Sequence, residues 1–91
     1  MTKKHFNIRI SGKVQGVYFR GSAKAKAVEL GITGIVRNES NGDVYAEIEG
    51  TPAQLSAFIQ WCHKGPPTAQ VVAVQQEEGP LSAYTNFSIQ R

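Results

Sequence analysis

Apolar and polar residues alternate from His5 to Ser11, and this period of two predicts a β-strand that is covered on one face. From about Arg20 to Leu30 the apolar positions instead recur at helical spacing. Gly31 follows at the position where a glycine commonly ends a helix. A strand followed by an amphipathic helix is therefore expected in the first third of the chain.

The middle of the chain predicts a β-hairpin and a second helix. Thr33 to Glu39 and Asp43 to Gly50 are two strand-like segments separated by a turn that contains Asn41-Gly42, a strong short-range hairpin signal. The run Thr51-Pro52-Ala53-Gln54 then combines an N-cap, a proline at the first helical position and a glutamine three residues after the cap. The apolar stripe expected on this helix consists of Leu55, Phe58, Ile59 and Cys62.

The last third predicts two more strands. Gly65-Pro66-Pro67 ends the second helix, and strands are expected from Ala69 to Gln75 and from about Tyr84 to Gln90. The order β-α-β-β-α-β with a short C-terminal strand predicts an α+β fold. The expected architecture is a ferredoxin-like two-layer sandwich, with two helices on one face of a mostly antiparallel sheet. With 91 residues, we expect one domain spanning residues 1–91.

The composition excludes several classes of protein. No apolar run approaches the roughly 20 residues of a membrane span, and no apolar leader follows the N-terminal lysines, so we expect a cytoplasmic protein with no membrane partner. Cys62, the only cysteine, is expected to be an inert core thiol. His5 and His63 lack metal-ligand spacing and are expected at the surface, so no metal is predicted. Glu47 and Glu49 are interpreted as a solvated pair on the outer face of a strand.

The charge is distributed unevenly along the chain. Residues 1–38 hold eight Lys and Arg against one Glu, a net charge of +7, whereas residues 39–91 hold two against six acids, a net charge of −4. A basic half is compatible with an anionic partner, either a nucleic acid or a small phosphate or carboxylate compound. By charge alone, a solvated basic face without a partner is the more common case.

The loop from Ser11 to Arg20 is the best candidate for chemistry. It contains Gly12 and Gly16, has no acid, and ends with an arginine at the start of a helix. Glycines allow consecutive backbone amides to converge on an anion, the helix N-terminus adds partial positive charge, and a guanidinium can contact two phosphate oxygens. Spacing alone does not distinguish such a loop from an ordinary turn beside an exposed arginine.

The complete motif is more specific than its parts. Residues 12–20, GKVQGVYFR, resemble the signature of the acylphosphatase family, as do residues 34–44, GIVRNESNGDV, and the closing segment 84–89, YTNFSI. The resemblance covers nearly the whole chain in the right order. One departure is Ile35, which stands where many relatives carry an aromatic residue and which should affect packing more than chemistry.

The resemblance implies hydrolysis of the carboxyl-phosphate anhydride of small acyl phosphates to a carboxylate and inorganic phosphate, with no metal, cofactor or covalent enzyme intermediate. It also implies that Asn38, which strand alternation places on one face beside the hairpin turn, holds the attacking water. For Asn38 without the resemblance, a turn-flanking asparagine would be the preferred interpretation. The implied catalytic residues are Arg20 and Asn38, and the implied phosphate-binding residues are Gln15, Gly16, Val17, Tyr18, Phe19 and Arg20.

Two other functions remain open at this point. An RNA-recognition module shares the fold class, but such domains stack bases on aromatic residues of the central strands. Here Asn7, Arg9 and Ser11 face outward on the first strand, and Tyr45 stands beside two glutamates, so no nucleic-acid partner is expected. A non-catalytic sensing domain would not need both Arg20 and Asn38. We expect a monomer whose partners are a small acyl phosphate and inorganic phosphate.

Overall fold

Two helices pack against a five-stranded sheet in the computed structural model, which describes residues 2–90. The helices lie on one face, and the other face is partly covered by the segment that precedes the last strand. The elements are β1 (Lys4–Lys13), α1 (Phe19–Leu30), β2 (Thr33–Asn38), β3 (Val44–Gly50), α2 (Pro52–Lys64), β4 (Gln70–Gly79) and β5 (Phe87–Ile89).

The strand order is β4-β1-β3-β2-β5. All neighbouring pairs are antiparallel except β2 and β5, which run parallel. Since β1 and β2 both run antiparallel to β3, they are parallel to each other. Helix α1 connects β1 to β2, and a hairpin turn connects β2 to β3. The predicted α+β ferredoxin-like sandwich is confirmed.

The hydrophobic core lies between the helices and the sheet. Of the residues that strand alternation places on the inner face, Ile8 and Ile10 of β1 and all three of β3 (Val44, Ala46 and Ile48) are buried, whereas Phe6 is partly buried. The side chain of Cys62 is fully buried in α2. This burial raises the pKa of the Cys62 thiol, as expected for an inert core cysteine. The residues of the core cluster that are fully excluded from solvent are Ile8, Ile10, Ala27, Val36, Val44, Ala46, Ile48, Phe58 and Cys62.

The predicted helix ends are also confirmed. Thr51 and Gln54 form a capping box, with the Gln54 amide donating to Thr51 Oγ1 at 3.3 Å and the Thr51 amide donating to Gln54 Oε1 at 2.8 Å. Gly31 ends α1 in the left-handed region, at φ 76°. These caps satisfy backbone groups that a helix terminus would otherwise leave without partners.

The strands differ from the predictions mainly at the two sheet edges. The strand predicted from Ala69 to Gln75 continues to Gly79, because it pairs with β1 as far as His5. At the other end of β1, a bulge at Gly12 interrupts the pairing with β4, which continues to Lys13. Gly12 has a φ of 122° and lies so close to the Gln70 carbonyl that a residue with a β-carbon would not fit. The bulge therefore lets β1 run further than the alternation predicts.

The strand predicted from Tyr84 to Gln90 is shorter, and only Phe87–Ile89 pairs with β2. The strand begins late because the Glu49 side chain binds the preceding residues. The backbone amides of Ser82 and Tyr84 donate to its carboxylate instead of to a neighbouring strand. The segment is thus drawn across the outer face of the sheet before β5 begins.

Two predictions about the outer face are wrong. His5 and Glu49 were expected in solvent, yet both are only 3% exposed. His5 Nδ1 lies 2.8 Å from Glu49 Oε2, and Glu47 accepts hydrogen bonds from the hydroxyls of Tyr45 and Tyr84 at 2.8 Å and 2.6 Å. Strand alternation correctly assigned these glutamates to the outer face, but it could not show that residues 82–84 cover part of that face.

Burial alone would raise the pKa of the Glu49 carboxyl, but hydrogen bonds from the Ser82 amide, His5 and the Tyr84 amide more than offset this, so its pKa lies below the usual value. A carboxyl with a lowered folded-state pKa stabilises the fold above its unfolded pKa of about 4.3, and this contribution is lost as the pH falls. The pH dependence below neutrality should therefore depend in part on Glu49.

We expect Glu49→Gln to lower the free energy of unfolding at neutral pH by about 1–3 kcal/mol, because charged acceptor oxygens are lost from buried donors. Urea titrations at pH 7 and at stepwise lower pH measure this value, and the gap between variant and wild type should narrow as the pH falls below about 4. Glu77→Gln, which alters an exposed carboxylate on β4, is the matched control. Equal pH profiles for wild type and Glu49→Gln would contradict the assignment.

Candidate functional site

The Gly-containing loop after β1 and the end of β2 meet at one end of the sheet. Because β1, β2 and β5 are parallel to one another, their carboxyl-terminal ends lie at the same edge. There they border a cleft of about 300 Å³ together with the first turn of α1. The residues that line it are Val14, Gly16, Tyr18, Phe19, Arg20, Gly21, Asn38 and Ile89.

The loop backbone alternates in handedness. Gly16 has a φ of 75° and Tyr18 a φ of 63°, whereas Val17 and Phe19 are not in the positive-φ region. Alternation in the sign of φ can turn successive backbone amides toward the same side and form a concavity that favours an anion. A glycine adopts this conformation without strain, but a tyrosine does so only at a cost.

The backbone amides of this loop are available to bind a ligand. Within residues 2–90, none of the N–H groups from Gln15 to Phe19 donates a hydrogen bond to another protein group. The loop leads into α1, whose N-cap residue Tyr18 provides no side-chain cap. The free amides of the first helical turn therefore add to those of the loop, and the helix dipole places partial positive charge at the cleft.

The loop is held in place from both sides. Gln15 Nε2 donates to the backbone carbonyls of Glu39 at 2.7 Å and Asp43 at 2.9 Å, and Thr68 Oγ1 donates to the Val17 carbonyl at 2.9 Å. Buried Val14 and Phe19, which are 1% and 2% exposed, fix the two ends of the loop in the core. The loop conformation is therefore maintained by contacts that leave its amides free.

The structure brings Arg20 and Asn38 to the same cleft, although they belong to different elements. Arg20 lies in the first turn of α1, which contains no acidic residue, and Asn38 is the last residue of β2. Both side chains are partly exposed, and neither makes a hydrogen bond or ion pair with another residue of the described chain. A planar cation and an amide are thus available to a ligand in the cleft.

The carboxylate nearest in sequence to Asn38 is occupied elsewhere. Glu39 accepts from Arg37 Nε at 2.9 Å and from Arg9 Nη1 at 3.3 Å. The hydrogen bond from Arg37 lowers the pKa of the Glu39 carboxyl below its usual value. These contacts hold the Glu39 side chain on the outer face of the sheet. Among residues 2–90, no carboxylate or imidazole side chain lines the cleft.

The six predicted phosphate-binding residues form one continuous segment, but the groups that they offer to a ligand in the cleft differ. The Gln15 side chain is used by the β2–β3 hairpin, so only its backbone is available to a ligand. Phe19 is anchored in the core, and Tyr18 is 78% exposed. Ile89 and Thr68, which the sequence analysis did not identify, complete the cleft and the loop contacts; no sequence spacing relates either of them to residues 12–20.

Across residues 2–90, no group of three or more His, Cys, Asp or Glu side chains is arranged to hold a metal ion. Neither helix of this part of the chain has the length and apolar character needed to cross a membrane.

The sequence matches a known protein family over most of its length. The family model described as Acylphosphatase matches residues 6–89. An acylphosphatase of Marinobacter nauticus is 48% identical over 88 residues, which cover 96% of each chain.

Two solved structures agree with this match. An acylphosphatase from Coxiella burnetii has 39% identity and a TM-score of 0.94 over 97% of this chain and 93% of its own. One from Bacillus subtilis has 29% identity and the same TM-score, 0.94, over 97% and 99% of the two chains. With its fold, its loop and nearly its whole length matched, this chain belongs to the acylphosphatase family, enzymes that hydrolyse acyl phosphates.

Proposed function

We propose that this chain hydrolyses small acyl phosphates without a metal ion, and that the cleft between residues 15–20 and Asn38 is where the reaction occurs. The observation that carries the proposal is the loop with alternating sign of φ, whose amides adjoin Arg20 and Asn38; none of these groups is paired with another of residues 2–90. We expect a monomer to be active, because the proposed contacts all come from one chain.

The phosphoryl group would be held by Arg20 and by the backbone amides from Gln15 to Arg20. Its oxygens carry negative charge, which favours both the loop concavity and the N-terminus of α1. The guanidinium can donate two parallel hydrogen bonds to two phosphate oxygens, which fixes the orientation of the group as well as its position. These contacts also stabilise charge on the phosphate oxygens in the transition state.

The attacking water would be held by Asn38. Its amide can accept a hydrogen bond through Oδ1 and donate one through Nδ2, but it does not take a proton at neutral pH. The water oxygen attacks phosphorus while the bond between phosphorus and the acyl oxygen breaks. A carboxylate leaves without needing a proton, and the proton of the water passes to a phosphate oxygen of the substrate.

The side chains of residues 2–90 that line the cleft include no carboxylate or imidazole, which is consistent with this mechanism. Without such a group, the chain contributes positioning and electrostatic stabilisation, which are the main sources of catalysis in phosphoryl transfer. The products are a carboxylate and inorganic phosphate.

An RNA-binding role has less support. The outer face of the sheet offers Tyr45 as a stacking surface, but Arg9 and Arg37 already lie against this ring, 5.4 Å and 4.6 Å from its centroid. Glu47 and Glu49 on the same strand add negative charge where a nucleic acid would require positive charge.

Purified protein should hydrolyse benzoyl phosphate with undiminished rate in excess chelator, because the proposed contacts come from the chain itself. Release of benzoate, followed by ultraviolet absorbance, measures the rate. Inorganic phosphate or sulfate should inhibit competitively, and more strongly at low salt. Activity that disappears with chelator and returns with a divalent cation would overturn the metal-free mechanism. Indifference to both anions would contradict the loop assignment.

Arg20→Ala should reduce kcat/KM by roughly 1,000-fold or more, on the scale of arginines that stabilise phosphoryl transfer. Phosphate inhibition should also weaken. Arg20→Lys should restore little activity, because one ammonium group cannot reproduce the planar two-point contact. Lys24→Ala, which removes an exposed cation one turn further along α1, is the control. Nearly normal turnover in the lysine variant would show that net charge alone matters.

Asn38→Ala should lower kcat by about 100-fold, the scale of a lost positioning group, with little change in phosphate inhibition. Asn38→Asp should weaken both turnover and phosphate binding, because it adds negative charge beside the anion. Steady-state kinetics with phosphate as inhibitor separate these effects, and Asn86→Ala serves as an exposed-asparagine control. Faster turnover in the aspartate variant would mean that water deprotonation limits the rate.

A further inference from the structure

The exposed ring of Tyr18 is not explained by the binding of phosphate. Its backbone is in the left-handed region at φ 63°, where glycine is favoured, and Gly16 shows that this loop accommodates glycine in such a position. The residue is 78% exposed, and its hydroxyl makes no hydrogen bond with any residue from 2 to 90. A strained residue that packs little against the protein points to a role with a ligand.

The ring nevertheless has a defined position. A β-carbon at Gly21 would overlap the Tyr18 ring, so the ring lies against the first turn of α1 at the place where that helix has no side chain. Both residues line the cleft that contains Arg20 and Asn38. The aromatic face is therefore held beside the site where the phosphoryl group is proposed to bind.

Few other side chains in the cleft can offer apolar surface. Val14 and Phe19 line it but are almost fully buried, whereas Ile89 is 36% exposed. Ile89 pairs in register with Val36, two residues before Asn38, so Ile89 and Asn38 extend from the same face of neighbouring strands. The sheet side of the cleft thus carries the asparagine together with Ile89, and the loop side carries Tyr18.

The in-line geometry of phosphoryl transfer gives the sheet side and the loop side of the cleft different roles. In phosphoryl transfer the attacking and leaving oxygens lie roughly in line on opposite sides of phosphorus. If Asn38 holds the water on the sheet side, the acyl group leaves toward the loop side. The exposed apolar surface on that side is the Tyr18 ring.

We propose that the Tyr18 ring contacts the acyl group of the substrate and makes the enzyme selective for acyl phosphates with aromatic or bulky apolar acyl groups over small ones such as acetyl phosphate. This inference rests on the proposed function of the cleft. The role belongs to the ring, whereas the backbone amide of the same residue belongs to the phosphate-binding loop.

The test compares kcat/KM for benzoyl phosphate and acetyl phosphate in each variant. Any disturbance of the phosphate loop affects both substrates and cancels in the ratio, so the ratio reports on the acyl group. Tyr18→Gly, which keeps a residue suited to positive φ, should lower the ratio about 3- to 10-fold, the range expected for an aromatic contact. Tyr18→Phe should keep the wild-type ratio, because the hydroxyl is not required.

Two controls make the result specific. Val72→Ala removes an equally exposed apolar side chain on β4, away from the cleft, and should leave the ratio unchanged. Ile89→Ala removes apolar surface from the sheet side. A ratio that falls in the Ile89 variant and not in the Tyr18 variant would overturn the inference and place the acyl group on β5.

A binding measurement that needs no turnover separates this inference from the proposed function. Calorimetric titration with phenylphosphonate and methylphosphonate, two stable anions that differ in the apolar group, should show a preference for phenylphosphonate that is reduced in Tyr18→Gly. An unchanged preference in that variant overturns the role of the ring, whatever the activity. Wild type that binds both anions with this preference but hydrolyses neither acyl phosphate would contradict the proposed function alone.

Discussion

The candidate site depends on two hydrogen bonds made by one side chain. Gln15 Nε2 donates to the carbonyls of Glu39 and Asp43, and so joins the loop after β1 to the hairpin after β2. Asn38 directly precedes Glu39, so the same contact holds the loop amides at a set position relative to that asparagine. A primary amide suits this task because its nitrogen carries two donors in a fixed geometry. A shorter or singly donating side chain would leave one hairpin carbonyl without this partner.

The charges of the molecule are arranged so that the cleft remains basic. Arg9 and Arg37 come from the basic first half of the chain, yet they are paired with Glu39 on the outer face of the sheet. The acid closest to Asn38 is thereby turned away from the cleft and stabilised in its charged form, while Arg20 has no such partner among residues 2–90. Net charge alone therefore overstates how many of the basic residues are available to an anion.

The outer face shows how a few polar groups can determine the path of the chain. Glu49 is buried, and a buried carboxylate is tolerated only when its oxygens accept hydrogen bonds. His5 and the amides of residues 82 and 84 provide them. The same bonds engage the residues that precede β5, whose pairing with β2 begins only at Phe87. Polar contacts on the outer face of the sheet thus direct the chain into its last strand.

The sequence by itself determined the order of elements, the helix caps at Gly31 and Thr51, and the loop motif, because periodicity and capping act between residues that are close along the chain. Strand alternation also assigned Glu49 to its correct face. Only the tertiary structure decided that this face is partly covered and that Ile89 reaches the cleft. It also decided that Tyr18 adopts a left-handed conformation with an exposed ring. These features depend on contacts between segments far apart in sequence, which no local pattern encodes.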